Sequence, residues 1–575
     1  MPDISKAASP RENAEGMAIV GMSCRFPGSM GCEAYYQSLL SGADLFSPPP
    51  RERWSWCADD AVVVRRMGGL DDVFSFDNAL FRLSPREAET MDPHQRLLLE
   101  EVWLAIEDAG YHPEIFARRS TGVFAAIYNQ DFQFYTRAGD WDEISRMYLA
   151  MGSAHSIVPN RVSYVFDLHG PSEVVDTACS SALVALHRAV EAIRNGECEQ
   201  AVVGGASLLL EPSRLVMLQD LGLLAIDGDC MPFDRDSGGQ VLGEGVAAII
   251  VKPLARARKD RDFVYAVIGG TGVNHQGARS GGLTRPSAAA QADLMRRTYA
   301  RHRIDPETIR YVEAHGNGGS GDVSELLAFQ DVLPAGTPVG SVKGNIGFLE
   351  AAGGLSQVIK VVMAMRHGVL PGTRSHRHLL EDEALSDEAC RILQADTLLE
   401  ALRGEGKQPF TVAVHAYGLG GCNAHVVLRE PCSIARAGMT EAALPLLFSG
   451  EDVTQTAELV ERFLLWLAED PAVSLSDMAF TLATGRPARR HRLAIMASTP
   501  AEAATRCRAW LASDRAERAE GHPLDDIVRD WLAGGAPDWN LHLSGSRIGI
   551  PLTAWRRRHY PLPPLKGGAS GEVPA

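Results

Sequence analysis

The chain has 575 residues, a formal net charge of -16 at neutral pH and 45% hydrophobic residues. Such a length accommodates two or more domains, and the acidic balance disfavours nonspecific binding to nucleic acid or anionic membranes. The ten cysteines form no CxxC pair or Cys/His ligand spacing, which argues against a structural metal and a disulfide framework; nor is there an apolar run of about 18 residues to cross a membrane. A reduced, cytoplasmic protein is expected, with no metal and neither nucleic acid nor membrane as partner.

Residues 1–16 are polar and read as a lead-in. The first strand is Met17–Met22, a helical patch covers Cys32–Leu40, and Pro48-Pro49-Pro50 forms a rigid loop without donors. The spacing of Leu97, Leu98, Val102, Trp103 and Ile106 predicts a long buried helix, with Asp92 as N-cap and Pro93 at its first position. Strands are predicted at Val123–Ile127, Gln200–Leu208, Gly245–Val251 and Val264–Gly269. Their alternation with helices means an α/β architecture with a largely parallel or mixed sheet. Near Pro431 the character changes: a helix at Thr454–Ala468, a strand at Arg492–Met496, then a proline-bearing stretch at 548–564 that should run extended over another surface. The arginine-rich runs Arg486–Arg492 and Arg556-Arg557-Arg558-His559 read as solvated faces, with carrier docking as the sharper alternative. The predicted division is a lead-in at 1–16, a main domain at 17–432, a small flanking α/β subdomain at 433–545 and an extended tail at 546–575.

The chemistry centres on Val174–Leu183, where a short apolar run ends in Asp176-Thr177-Ala178-Cys179-Ser180-Ser181 and a helical pattern follows. Cys179 is predicted at the sharp turn from strand into the first turn of a helix, where free N–H groups and the helix dipole favour a thiolate nucleophile. Taken alone, such a cysteine is more often a small core residue. Three later stretches change the weighing. His315 ends a strand before the loop Gly316–Gly321; Lys343 opens Lys343-Gly344-Asn345-Ile346-Gly347-Phe348; and Tyr417-Gly418-Leu419-Gly420-Gly421-Cys422 is again strand, then glycine loop. None fits a phosphate-cradling fingerprint.

In this order these stretches resemble the ketosynthase domains of modular polyketide synthases, a branch of the β-ketoacyl synthase (thiolase-fold) family. The resemblance is dense from about 17 to 430, through Ala18–Gly28, Met91–Arg96, Asp176–Ser181 and Pro232–Asp236. Asn160–Tyr164, His169–Ser172 and Val273–Gly277 look most like members whose acyltransferase is a separate protein, and 433–575 is similar to their flanking linker, whose final segment wraps back over the ketosynthase. The resemblance implies a thiolase-like layered fold, helices between two mixed sheets, and a homodimer. It implies no bound cofactor, only phosphopantetheine delivered by acyl carrier proteins upstream and downstream; against an acidic chain those partners must find a local basic patch.

Carried over residue by residue, the resemblance makes Cys179 the acyl-accepting nucleophile. The backbone N–H groups of Cys179 and Leu419 form the oxyanion hole, with Leu419 as gatekeeper and Tyr417 in the same group, and Lys343 orients the network. His315 matches the first of two histidines that bind the malonyl thioester carbonyl during decarboxylation. The second position, five residues after Lys343, holds Phe348, which cannot donate a hydrogen bond. Asn317 and Gly319 stand where the family has threonines lining the carrier-arm tunnel, and Cys422 where it has another threonine. The expectation is a ketosynthase that loads an acyl chain on Cys179 and passes it on without condensation. The alternatives are a condensing enzyme with a substitute for the missing donor (water on Asn317, for example), an acyl-cysteine platform for conjugate addition or chain release, and a structural dimeric module. A thiolase-like general base at Cys422 is weighed below a near-isosteric substitution.

Overall fold

A computed structural model describes residues 16–54, 62–117, 119–386, 388–403, 409–431, 443–469, 471–513 and 525–566. The predicted lead-in, save Gly16, and the predicted boundary at 432/433 lie outside them.

The strands of the body are β1 (Met17–Phe26), β2 (Thr121–Ile127), β3 (Ser172–Val175), β4 (Gln200–Ser207), β5 (Gly245–Pro253), β6 (Ala266–His275), β7 (Tyr311–Glu313), β8 (Thr337–Gly340), β9 (Cys390–Ile392), β10 (Thr411–Tyr417) and β11 (Cys422–Arg429). They form one continuous sheet in the order β9-β8-β7-β10-β11-β6-β1-β5-β4-β2-β3, with Ser29–Met30 paired to the end of β1. The two expected sheets are thus joined, because β1 pairs along its length with β5 and at Met17–Ile19 also with β6. The two halves repeat one pattern. In the first, β3, β2 and β4 are parallel and β5 and β1 antiparallel; in the second, β8, β7 and β10 are parallel and β11 and β6 antiparallel.

β1 shows how sequence sets this join. Met17 and Ile19 face one core and Ala18 and Val20 the other, but past a register shift at Ile19/Gly21 it is Met22, Cys24 and Phe26 that face the first. A bulge adds one residue and so flips the parity of every side chain beyond it. Gly21 sits at that shift, where a Cβ would lie 2.4 Å from the Ala105 carbonyl oxygen. The first core lies between the halves and encloses two helices, α2 (Ser181–Arg194) and α5 (Gly353–His367). The second lies outside, under α1 (Pro93–Asp108), which is capped as predicted: Asp92 accepts from the His94 N–H and Pro93 opens the helix.

The flanking region has its own core, in which β12 (Leu444–Gly450) and β13 (His491–Ala497) pair antiparallel against Val453–Glu469, Leu475–Thr484 and Pro500–Ala512. The tail then crosses the body. Tyr560 packs into the outer core, its hydroxyl on Asn78 at 2.7 Å, and its carbonyl accepts from the buried Arg96 guanidinium at 2.9 Å. Arg557 pairs with Glu100 at 2.9 Å and the Thr553 hydroxyl joins Trp103 to Glu107.

The reading of the arginine runs as solvated faces is corrected in part. Arg486 is half-buried and donates to the Gly110 and Ile550 carbonyls, and Arg489 pairs with Glu114 at 2.6 Å; Arg556 stays largely exposed on Glu458. A cation whose neighbours are main-chain carbonyls holds two surfaces in register, and no pattern in the linear text marks those carbonyls. A cavity of about 590 Å³ opens along this seam, lined by Trp103, Phe448 and Arg486 among others.

Deleting 553–575 strips Arg96 and Glu100 of buried partners, at about 1–3 kcal/mol for each group left unpaired. The expected outcome is a lower thermal midpoint and faster amide exchange across α1. Unchanged exchange in α1 would show that the tail is only laid on the surface.

Candidate active site

Cys179 stands at the corner between β3 and α2. Ala178 takes φ 54°, a left-handed conformation unfavourable for a residue with a Cβ, and Thr177 and Cys179 bridge across it. The hydroxyls of Ser180 and Ser181 accept and donate within the same turn, Ser181 to the Ala178 carbonyl at 2.6 Å and the Thr177 N–H to Ser181 at 2.9 Å. The helix begins at Ser181, so the cysteine precedes its first turn rather than lying in it.

Cys179 is 9% exposed, in one apolar cluster with Leu209, Leu215, Leu242 and Phe348. Burial pushes the Cys179 thiol up to about 12, with Glu350 adding to the rise, while Arg214, the Leu419 N–H and Lys343 pull it down. Loss of hydration at this packed side chain acts against the thiolate that a helix end favours.

A second corner faces the first. Between β8 and α5 the chain passes through Lys343, Phe348 and Glu350, the last at φ 39°. The Phe348 backbone is bound on both sides, its N–H to the Val241 carbonyl at 2.7 Å and its carbonyl to the Gly243 N–H at 3.0 Å. Its ring meets His315 edge to face at 5.2 Å and lies 5.7 Å from the Lys343 ammonium. Among the described residues no imidazole except that of His315 contacts this ring.

Two carboxylates that sequence reasoning passed over hold the His315 loop. Glu325 accepts the N–H groups of His315 and Gly316 at 2.7 and 2.8 Å; Asp322 accepts those of Phe233, Asn317 and Gly318. They lie one helical turn apart on Asp322–Val332, a spacing that could have marked them as facing one way. Burial lowers His315 well below its ordinary value, with Lys343 acting in the same direction, so the ring is neutral. Its Nδ1 faces the Tyr417 N–H at 3.4 Å, which leaves the proton on Nε2, free to donate.

Lys343 is 2% exposed and its Nζ has no hydrogen-bond partner among the described residues; burial lowers its pKa, opposed by Glu313 and Glu325. The Tyr417 hydroxyl is likewise unpartnered, and its ring lies on His315 at 4.0 Å. Leu419 is 37% exposed at the rim. The Asn317 side chain ties its loop to Gln240: Nδ2 donates to Gln240 at 3.0 Å and Oδ1 accepts the Gly319 N–H at 3.0 Å. Cys422 is half-buried, and the hydroxyls of Ser180 and Thr177 act on its thiol. The fold thus gathers Cys179, His315, Lys343, Phe348, Tyr417 and Leu419, while Asn317 and Gly319 form the adjoining loop.

Residues 14–257 match the beta-ketoacyl synthase N-terminal domain and 265–377 its C-terminal domain; 447–514 match the RhiE-like KS-MAT linker domain. The ketosynthase from module 6 of the bacillaene synthase of Bacillus subtilis 168 superimposes with a TM-score of 0.81 at 31% identity, over 95% of this chain and all of that one. The chain belongs to the β-ketoacyl synthase family. It is a ketosynthase domain of the trans-acyltransferase polyketide synthase type, with the thiolase-like fold. The ketosynthase is similar also to the OzmH KS7 domain of oxazolomycin synthesis from Streptomyces albus JA3453, with a TM-score of 0.82, 30% identity, and coverage of 95% of this chain and 98% of that one. Among whole synthases, PksL of Bacillus subtilis is 33% identical over 96% of this chain and ThaG of Burkholderia thailandensis 38% over 94%. The ketosynthase spans only 13% and 10% of those two proteins. Among the described residues no helix is long and apolar enough to cross a membrane.

A thiol held near 12 is protonated across the neutral range, and its thiolate fraction gains tenfold per pH unit. Alkylation of Cys179 by iodoacetamide, followed by peptide mass spectrometry, should climb about tenfold per pH unit from roughly pH 6 to 9. A plateau below pH 8 would mean that the thiol ionises more readily than its surroundings imply.

Proposed function

We propose that this ketosynthase moves acyl chains between carrier proteins and does not extend them. The Cys179 thiol attacks the thioester of an incoming acyl carrier protein. Its proton leaves with the departing pantetheine thiol, and the chain stays as a Cys179 thioester. The N–H groups of Cys179 and Leu419 would hold the transient oxyanion, consistent with the pull of the Leu419 N–H on this sulfur. The thiol of a downstream carrier reverses the sequence and removes the chain.

The observation that carries the reading is the Phe348 ring. Condensation requires donors around a second thioester, whose carbonyl becomes an enolate oxygen as carbon dioxide departs. His315 can give one N–H from Nε2; the neighbouring position is filled by a phenyl ring with its edge against that imidazole. Losing one donor of this kind typically costs about 2.7–4 kcal/mol, a hundred- to a thousandfold in rate. A condensing reading keeps one observation of its own, the unpartnered Lys343 ammonium on the far side of the ring.

Homodimerisation belongs to the same reading. The edge strand β3 is half-buried throughout, and Ile144, Met147, Met151 and Tyr164 lie exposed on the neighbouring helices Glu143–Ser153 and Ile157–Phe166. A paired edge and a covered apolar stripe are what a second copy would provide.

Incubation with an acyl pantetheine thioester should give a Cys179 adduct by intact mass. Addition of malonyl carrier protein should then give no β-ketoacyl product above about a hundredth of the Phe348→His rate, that variant regaining condensation. Efficient product from the unaltered protein would overturn the reading in favour of Lys343 as the second donor.

A further inference from the structure

Arg214 precedes Leu215 and pairs with Glu350, two residues past Phe348; Leu215 and Phe348 share one apolar cluster with Cys179, and both charges act on its thiol. Arg214 lies on α3 (Ser213–Asp220), Tyr128 just beyond β2, and Glu350 on the left-handed corner before α5. Both Nε and Nη2 of Arg214 bind the same oxygen, Oε1 of Glu350, at 3.1 and 2.7 Å. The guanidinium stands over the Tyr128 ring at 5.0 Å. Its Nη1 has no hydrogen-bond partner among the described residues, and the Tyr128 hydroxyl has none either. Both side chains are only half-buried, whereas Leu209, Leu215, Leu242 and Phe348, which line the sulfur, are at most 2% exposed.

We propose that Arg214 and Tyr128 select the chain on Cys179, favouring one that bears a neutral oxygen, a hydroxyl or ketone, close to the thioester. The inference rests on Cys179 being the acyl acceptor and adds the substrate class. A plain alkyl chain laid beside Arg214 would bury a free guanidinium N–H without an acceptor, which is unfavourable. A carboxylate gains little, since Glu350 already neutralises the cation and would repel it. A neutral oxygen can accept from Nη1 or from the Tyr128 hydroxyl while the remaining carbons meet leucines. A site whose donors are matched by the substrate discriminates against the analogue that lacks the oxygen far more strongly than an apolar pocket discriminates by size.

The experiment follows Cys179 acylation by intact mass with butyryl, 3-hydroxybutyryl and 3-oxobutyryl pantetheine thioesters, using the full chain. The oxygenated chains should load about tenfold or more faster than butyryl. Arg214→Met and Tyr128→Phe should each narrow that ratio, and Arg214→Lys should keep part of it. Iodoacetamide rates on the same variants separate chain recognition from a changed thiol, and Tyr128→Phe, which removes one oxygen, keeps the question answerable if Arg214→Met fails to fold. Equal loading of butyryl and 3-hydroxybutyryl by the unaltered protein overturns the inference, as does a ratio unmoved in the variants. No adduct with any thioester overturns instead the acceptor role beneath it.

Discussion

Ala178 is held at φ 54° although it carries a Cβ, and the site depends on that bend. A left-handed alanine costs about 1–2 kcal/mol, so it persists only where its surroundings leave no alternative. Here they are a buried helix behind it, a parallel strand before it, and hydroxyls of Ser180 and Ser181 closing the turn. With the bend in place, the Cys179 thiol meets the Leu419 N–H while its side chain stays within the apolar cluster of Leu209, Leu215 and Leu242.

Burial pushes the titratable groups around the sulfur in one direction. Burial raises the Cys179 thiol, lowers His315 and lowers Lys343, each change favouring the neutral form. A site of this kind does not wait with a charged nucleophile. In the proposed transfer the sulfur would ionise as the bond forms, when the oxyanion donors could be used. The ion pair Arg214–Glu350 is the nearby exception, joining Ser213–Asp220 to the corner before α5.

The motif residues were legible because their chemistry demands particular residue types: a thiol, an imidazole, glycines at close approaches such as Gly316, whose Cβ would lie 2.3 Å from the Phe233 ring. The capped helix α1 was legible from Asp92-Pro93 and its apolar spacing. What could not be read depends on distant neighbours. The state of the thiol follows from leucines at 209, 215 and 242; Arg486 follows from the carbonyls of Gly110 and Ile550; and the join of the two half-sheets follows from three residues of β1 paired twice. Asp322 and Glu325 were missed for a further reason. They hold the loop by accepting its N–H groups, a role in which a carboxylate looks in sequence like any exposed acid of a helix.

The repeat within the sheet explains why the two corners can differ so much in chemistry while matching in build. Each leads from a parallel strand into a buried helix, and each passes through a left-handed non-glycine residue, Ala178 in one and Glu350 in the other. At the second corner the frame is carried by main chain: the Phe348 N–H and carbonyl close the link to Val241 and Gly243 whatever the side chain is. The side chain has only to fill the volume bounded by His315, Lys343 and the leucines, and a ring of this size does so at 2% exposure. A smaller residue would leave a cavity at a cost of several kcal/mol, and a charged one would be stranded without a partner. The constraint on the fold at this position is therefore volume, which phenylalanine satisfies; under the proposed reading, condensation would ask in addition for a proton donor, which a phenyl ring cannot be. Cys179 differs: there the left-handed turn at Ala178, not a volume to be filled, fixes where the side chain stands.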